Sequence, residues 1–151
     1  THDVEFTALA ADEVVVMAEG RVVAEGPPDT VMQDQAVIAL GQRLYAENCA
    51  TCHGADLEGQ PDWQTPLANG RYPAPPHDET GHTWHHADAL LERIIRDGTA
   101  AVVGDGYESD MPGFTDVMSD AEITAVLAYI KSTWPERERA IQSRITKDSA
   151  P

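Results

Sequence analysis

Basic residues are scarce in this chain. Its 151 residues include 10 lysines and arginines against 26 aspartates and glutamates, a formal net charge of −16 at pH 7. Nucleic acid is therefore excluded as a natural partner, because its phosphates would be repelled. The same charge favours solubility and suits a basic protein partner, although a solvated acidic surface explains it equally well.

Long apolar runs are also missing. No run reaches the roughly 18 to 20 apolar residues that a membrane-spanning helix needs, so no transmembrane segment is expected. The chain begins at Thr1 without a basic-then-apolar leader, and we expect that the true N-terminus is missing, processed or misassembled. The sequence also lacks a GxxxxGK[ST] loop, so ATP is not an expected ligand.

Cysteine occurs only twice, in the motif Cys49-Ala50-Thr51-Cys52-His53. This spacing is typical of c-type haem attachment, in which each thiol adds to a porphyrin vinyl group and the histidine binds the iron. A thioredoxin-like redox pair would follow a strand, whereas residues 42–48 look helical. A structural zinc site needs about four ligands, usually two such pairs. The motif therefore predicts one covalent haem c, with His53 as an axial ligand.

Helical periodicity surrounds this motif. Apolar stripes predict helices over residues 36–48 and 88–97, and a third helix that ends at Pro135. The third begins at a capping box, Ser119-Asp120-Ala121-Glu122. Glycine-, proline- and aspartate-rich stretches over 55–79 and 98–110 are predicted to be loops.

The chain resembles the class I cytochromes c over about residues 36–135. The resemblance is carried by Gly41-Gln42-Arg43-Leu44-Tyr45, four positions upstream of the haem motif, and by Met111-Pro112 ahead of the last helix. It implies a mainly α class I cytochrome c fold, in which the helix carrying Gly41 crosses the C-terminal helix.

The resemblance also implies that Met111 is the sixth iron ligand, because in cytochromes c a Met-Pro pair ahead of the last helix carries this ligand. A neutral thioether in this position raises the reduction potential. Met118 is the rival, but it lies next to a helix start and lacks the proline. Other residues are expected to line the haem pocket, with ordinary packing as the alternative: Leu67, Tyr72, Trp84, Ile94 and Phe114.

The sequence assigns no role to four clustered histidines, His77, His82, His85 and His86. A copper or zinc site would suit imidazole ligands. No acidic or thiol group is spaced to complete such a site, and the stronger interpretation is that Trp84 or one histidine lies near a haem propionate.

The first 33 residues do not match the rest. Short β-branched runs at 14–17 and 22–24, joined by a turn at 19–21, predict a β-hairpin, and Asp29 is expected to cap a helix that begins near Thr30. Thr1-His2-Asp3, together with residues 11–17 and 19–27, resembles the C-terminal end of ATP-binding-cassette ATPases. In that family the histidine of the opening motif senses the γ-phosphate of the nucleotide, and His2 is the matching position. Since the nucleotide-binding core is absent, we interpret residues 1–33 as a remnant or fusion scar and expect them to be dispensable. An unrelated hairpin extension packed on the haem domain is the alternative.

Three parts are thus predicted: this extension, a cytochrome c domain over 34–135, and a charged, frayed helical tail over 136–151. We expect an electron carrier, not an enzyme, that exchanges electrons with redox protein partners in a periplasmic or extracytoplasmic location. The alternatives are a haem enzyme or a gas or redox sensor whose Met111 dissociates, and a regulatory module fused to an ATPase. The missing nucleotide loop argues against the last.

Overall fold

The computed structural model describes residues 6–9, 13–18 and 20–150, so His2 lies outside the described part of the chain. This part is mainly helical, as predicted, with a small sheet at its N-terminal end. The elements are β1 (Phe6–Leu9), β2 (Glu13–Ala18), β3 (Arg21–Gly26), α1 (Pro28–Val31), α2 (Gln35–Asn48), α3 (Ala50–His53), a 3-10 helix (Thr83–His85), α4 (Asp88–Asp97), α5 (Thr99–Val103), α6 (Asp120–Thr133) and α7 (Glu136–Asp148).

The sheet is antiparallel, in the order β1-β2-β3. The predicted hairpin is confirmed as β2 and β3, which pair with a register shift at Val16 and Met17. Gly20 forms the turn at φ +72°, a conformation that glycine adopts without steric cost. The first strand, which pairs with β2, was not predicted from the sequence.

Helices α2 and α6 cross at very close range. A Cβ atom built on Gly41 would overlap the backbone carbonyl of Ala125, so only glycine allows this approach. Asp34 caps α2 by accepting hydrogen bonds from the N–H groups of Ala36 and Val37. At the start of α6 the predicted capping box between Ser119 and Glu122 is confirmed in both directions.

The buried apolar residues of the described chain form two clusters, and both include residues of α2 and α6. The first core holds Leu44, Tyr45, Leu57, Ile95, Met118, Ile123, Val126, Ile130 and Trp134. The second core holds Val16, Val31, Met32, Val37, Leu91, Ala125, Leu127 and Ala128. The second core includes residues of the N-terminal segment as well as residues of the helices. This contact favours the interpretation of the segment as an extension packed on the helical domain, and not as a remnant separate from it. The three-part division of the chain remains a prediction.

Helix α1 begins at Pro28 and has Pro27 at its N-cap position, so the expected cap at Asp29 is wrong. Proline suits the first helical position, because its fixed φ is already helical and its missing N–H is not needed there. The predicted loop over 98–110 contains the short helix α5, which lies between Gly98 and Gly104.

The C-terminal segment forms a packed helix, so the expectation of a frayed tail is wrong. The Gln142 side chain is fully buried, and its Nε2 donates to the His86 carbonyl at 3.1 Å and to the Asp88 carboxylate at 2.6 Å. A single buried amide leaves no apolar stripe in the sequence, which is why the pattern did not reveal this contact.

Candidate haem site

The cysteine motif lies at the junction of α2 and α3. Cys49 ends α2 by donating its N–H to the Tyr45 carbonyl, and the N–H groups of Cys52 and His53 both point back to the Cys49 carbonyl. Both thiols of this turn are free, and they lie three residues apart in the chain. Burial, together with the nearby Cys52, raises the pKa of the Cys49 thiol to about 11. Cys49 is therefore a protonated thiol at neutral pH, while Cys52 is exposed.

His53 is buried, with 6% of its surface exposed. Its Nδ1 lies 2.8 Å from the Pro75 carbonyl oxygen, which can only accept a hydrogen bond, so Nδ1 carries the proton. The unprotonated Nε2 then has its lone pair free to bind a metal. Burial lowers the pKa of His53, an effect that the hydrogen bond to Pro75 opposes. A neutral imidazole next to two thiols is a donor set that fits covalently attached haem.

The loop that supplies Pro75 is held in place by its own backbone. The N–H of Gln60 donates to the Ala74 carbonyl at 2.8 Å, and the N–H of Ala74 donates to the Gln60 side-chain oxygen at 2.8 Å. The predicted loop over 55–79 contains no helix or strand, which confirms that prediction. These bonds order the segment although it lacks regular structure.

Met111 lies on a second loop, which packs directly on the end of α4. The N–H of Phe114 points at the carbonyls of Ile95 and Arg96, at 3.0 and 3.1 Å. A Cβ on Gly113 would come within 2.6 Å of the Arg96 oxygen, so the loop can approach this closely only with glycine at that position. The contact fixes the backbone near the predicted sulfur ligand.

The sulfur of Met111 has a defined polar neighbour. The Thr99 hydroxyl donates to Met111 Sδ at 3.3 Å, and the Met111 N–H donates to the Ser109 hydroxyl at 3.2 Å. Met118 differs, because it is 4% exposed inside the first core. Its surroundings are those of a packing residue, whereas those of Met111 are half-buried and partly polar.

The two loops are joined by an ion pair. The Arg71 guanidinium pairs with the carboxylate of Asp110, the residue before Met111, and with that of Glu108 at 3.6 Å. The hydrogen bond that Arg71 donates to Asp110 is the main cause that raises the pKa of Arg71. The two carboxylates are largely exposed, whereas about a third of the Arg71 side chain is exposed, so the ion pairs restrain the loops more than they stabilise the fold.

Only some of the residues predicted to line the pocket come together. Trp84 and Phe114 pack against the first core, as do Cys49 and Met111. Leu67 and Tyr72 are about half exposed, and neither belongs to that cluster; Ile94 is partly buried outside it as well. Neither the Pro75 carbonyl nor the Thr99 hydroxyl was predicted from the sequence to take part in the site. Gly98-Thr99 resembles any other helix start, so it does not indicate a contact with a sulfur atom. Every residue type has a backbone carbonyl, so the identity of Pro75 does not indicate that its carbonyl accepts a hydrogen bond from His53.

The histidines at 82, 85 and 86 contact other aromatic rings, one of them in a parallel stack and the others edge to face. His82 lies parallel to Trp63, with ring centroids 5.3 Å apart, and meets the edge of His86 at 5.4 Å. His85 contacts Trp84 at 3.8 Å. Within the described ranges, no group of three or more His, Cys, Asp or Glu side chains could hold a metal ion.

A profile of the cytochrome c family matches residues 38–134, well over half of the chain. The chain belongs to the cytochrome c family. Covalently attached c-type haem and haem-based electron transfer are the properties of this cytochrome domain, as the resemblance implied. A comparison with solved structures gives no match.

Several curated proteins are similar to this cytochrome. Thiosulfate dehydrogenase of Stutzerimonas stutzeri is 35% identical over 113 residues, which are 73% of this chain and 32% of that protein. The cbb3-type cytochrome c oxidase subunit CcoP of Azospirillum brasilense is 32% identical over 98 residues, 64% of this chain and 28% of that subunit. The chain spans about a third or less of the length of these relatives.

A third relative is of another kind. The cobalt import ATP-binding protein CbiO of Rhodobacter capsulatus is 49% identical over 41 residues, 27% of this chain and 15% of that protein. This likeness to an ATP-binding protein agrees with the resemblance seen in the N-terminal segment of the cytochrome.

No helix in the described residues has both the length and the apolar character needed to cross a bilayer.

Proposed function

We propose that this chain is a mono-haem electron carrier in which Cys49 and Cys52 form the two thioether bonds and His53 and Met111 are the axial ligands. The observation that carries this proposal is the hydrogen bond of 2.8 Å between His53 Nδ1 and the Pro75 carbonyl. It leaves Nε2 as the one ring nitrogen able to bind iron. When bound, the haem supplies an Fe(III)/Fe(II) couple.

The chain's own residues would keep this couple stable. His53 is held by a backbone acceptor, so its ring does not need to reorganise when the charge on the iron changes. Met111 offers a neutral sulfur, which favours the reduced state. The Thr99 hydroxyl at 3.3 Å draws electron density from that sulfur, which favours the reduced state further.

The alternative is a haem enzyme or a gas or redox sensor in which Met111 is displaced. It is favoured by the likeness to a protein named thiosulfate dehydrogenase and by the partial exposure of Met111. We favour the carrier, because Met111 is positioned by Thr99, by Ser109 and by the docked loop at once. A displaceable ligand would need fewer restraints.

The partners are proposed to be redox proteins with basic docking surfaces, since the chain carries a net charge of −16. We further propose a periplasmic or other extracytoplasmic location, because c-type haem is attached outside the cytoplasm. If the chain is part of a longer protein, we propose that it serves there as the electron-transfer domain.

The test is to mature the full chain with haem-attachment machinery and to record its mass after denaturation. One retained haem is expected, and substitution of both Cys49 and Cys52 by serine should abolish retention. A denatured chain at apoprotein mass would contradict the proposal. Rapid carbon monoxide binding by the reduced wild-type protein would favour the enzyme or sensor instead.

A further inference from the structure

The His77 imidazole lies face to face with the imidazole of His53. The two ring centroids are 4.0 Å apart, and the planes are inclined by 27°. This is the closest parallel pair among the described aromatic contacts. One face of the proposed axial ligand is therefore covered by a second imidazole.

His77 is fixed at its backbone and at its ring. Its N–H donates to the Leu57 carbonyl at 2.8 Å, and its carbonyl accepts from the Trp134 indole N–H at 2.7 Å. The ring Nδ1 lies 2.8 Å from the hydroxyl of Thr83. Thr83 and Trp134 are themselves buried, at 6% and 2% exposure, so water does not compete for their hydrogen bonds with His77.

A third aromatic ring packs on the stacked pair. The Tyr45 ring meets the His77 ring in a T-shaped contact, with ring centroids 6.5 Å apart. Aromatic rings attract each other in offset-stacked and edge-to-face arrangements, so both contacts favour the observed position of the His77 ring.

We propose that His77 is a positioning residue for His53, which fixes the plane of the axial imidazole by stacking on its face. The inference rests on the proposed function, since it requires His53 to bind the iron. The Pro75 carbonyl restrains one atom of the His53 ring, so by itself it permits the ring to tilt about the hydrogen bond. The stacked ring removes that freedom, because tilting would bring the two rings into collision.

The plane of an axial imidazole determines how its π orbitals overlap with the iron d orbitals. Ferric g-values and haem-methyl proton shifts report this overlap directly, and a purely structural role would not change them. Pro75 and His77 lie in one short segment, so the same stretch of loop would set both the hydrogen bond and the plane of the ligand.

The experiment compares the full, matured chain with three substitutions by low-temperature electron paramagnetic resonance and proton NMR of the ferric protein. His77→Leu removes the ring and should shift the g-values and the methyl resonances. His77→Phe keeps a stacking ring and should shift them much less. His85→Leu is the control, because His85 is exposed and is not among the rings that stack on His53; its spectra should match the wild type.

Unchanged g-values in His77→Leu would overturn the proposal, whatever the change in thermal stability. Equal shifts in His77→Leu and His77→Phe would also overturn it, since stacking would then not be the cause. If His77→Leu does not mature, His77→Phe and Thr83→Val take its place. Thr83→Val frees the His77 ring and should shift the spectra, and identical spectra would refute the idea. Failure of the wild type to retain haem would instead contradict the proposed function itself.

Discussion

Replacing each of the two candidate methionines by alanine separates a ligand from a packing residue. Met111→Ala is expected to abolish the weak sulfur-to-iron charge-transfer band at the red end of the visible spectrum of the oxidised protein. It should also lower the reduction potential and open the reduced iron to carbon monoxide. The potential falls because water or an added imidazole stabilises reduced iron less than a thioether does.

Met118→Ala should act on stability alone. Met118 is 4% exposed and belongs to the first core, together with Leu57 and Ile95. Truncating a buried methionine to alanine typically costs about 2–5 kcal/mol, as transfer and cavity terms add. Met111 is only partly buried and loses less packing, so its variant should unfold closer to the wild-type midpoint apart from the lost ligation.

The assay is a pair of measurements on each variant: the oxidised absorption spectrum and a denaturant melt. Thr99→Val is the matched intermediate, because it keeps the sulfur but removes the hydroxyl at 3.3 Å. In Thr99→Val the sulfur-to-iron charge-transfer band should persist at a shifted wavelength, and the reduction potential should fall. Thr99→Ser keeps a hydroxyl and should restore the wild-type band position and potential. If Met118→Ala removed the band while Met111→Ala kept it, the assignment of the sixth ligand would be reversed.

Three further outcomes are expected. Gly41→Ala should prevent or strongly destabilise folding, since its Cβ would overlap the Ala125 carbonyl; Gly70→Ala, with open space for a Cβ but a φ of +82°, is the milder comparison in thermal melts. A variant that starts at Asp34 should have a lower free energy of unfolding, because it lacks the fully buried Val16 and Val31, whose burial contributes about 1.5–3 kcal/mol each. An unchanged thermal melt would show instead that the segment is dispensable for stability. Glu92→Gln should raise the melting temperature at pH 7. Burial raises the pKa of Glu92 in the folded state, so the ionised carboxylate destabilises the fold at a pH above that pKa. The increase in melting temperature should vanish as the pH falls below the pKa of Glu92 in the unfolded chain. Equal gains at both pH values would contradict this reasoning.

Local features of the sequence predicted much of the helical frame. The haem motif can be recognised in the sequence because haem attachment requires two thiols and an imidazole within five consecutive residues, Cys49 to His53. Helix α4 begins and ends where predicted, at Asp88 and Asp97, because Gly98 stops it with a φ of +86°. The capping box at Ser119 involves residues only three apart, so it also leaves a visible pattern.

The tertiary structure alone decided how the predicted ligands are held. The acceptor for His53 is a backbone carbonyl 22 residues away, and the anchor of the His77 carbonyl is an indole 57 residues away. Carbonyls are the same in every residue type, so sequence gives no sign of which one a ring will meet.

The N-terminal segment and α7 show the same limit. Sequence predicted a hairpin and a charged tail, but the burial of Val16 against the helices and of Gln142 beneath His86 depends on where distant elements dock. Local chemistry thus determined which residues can attach haem and where helices begin. Apart from the local contact between Met111 and Ser109, the restraints on the two proposed iron ligands arose only when separate segments of the chain were packed together, because hydrogen bonds and stacks between such segments follow from their positions in space.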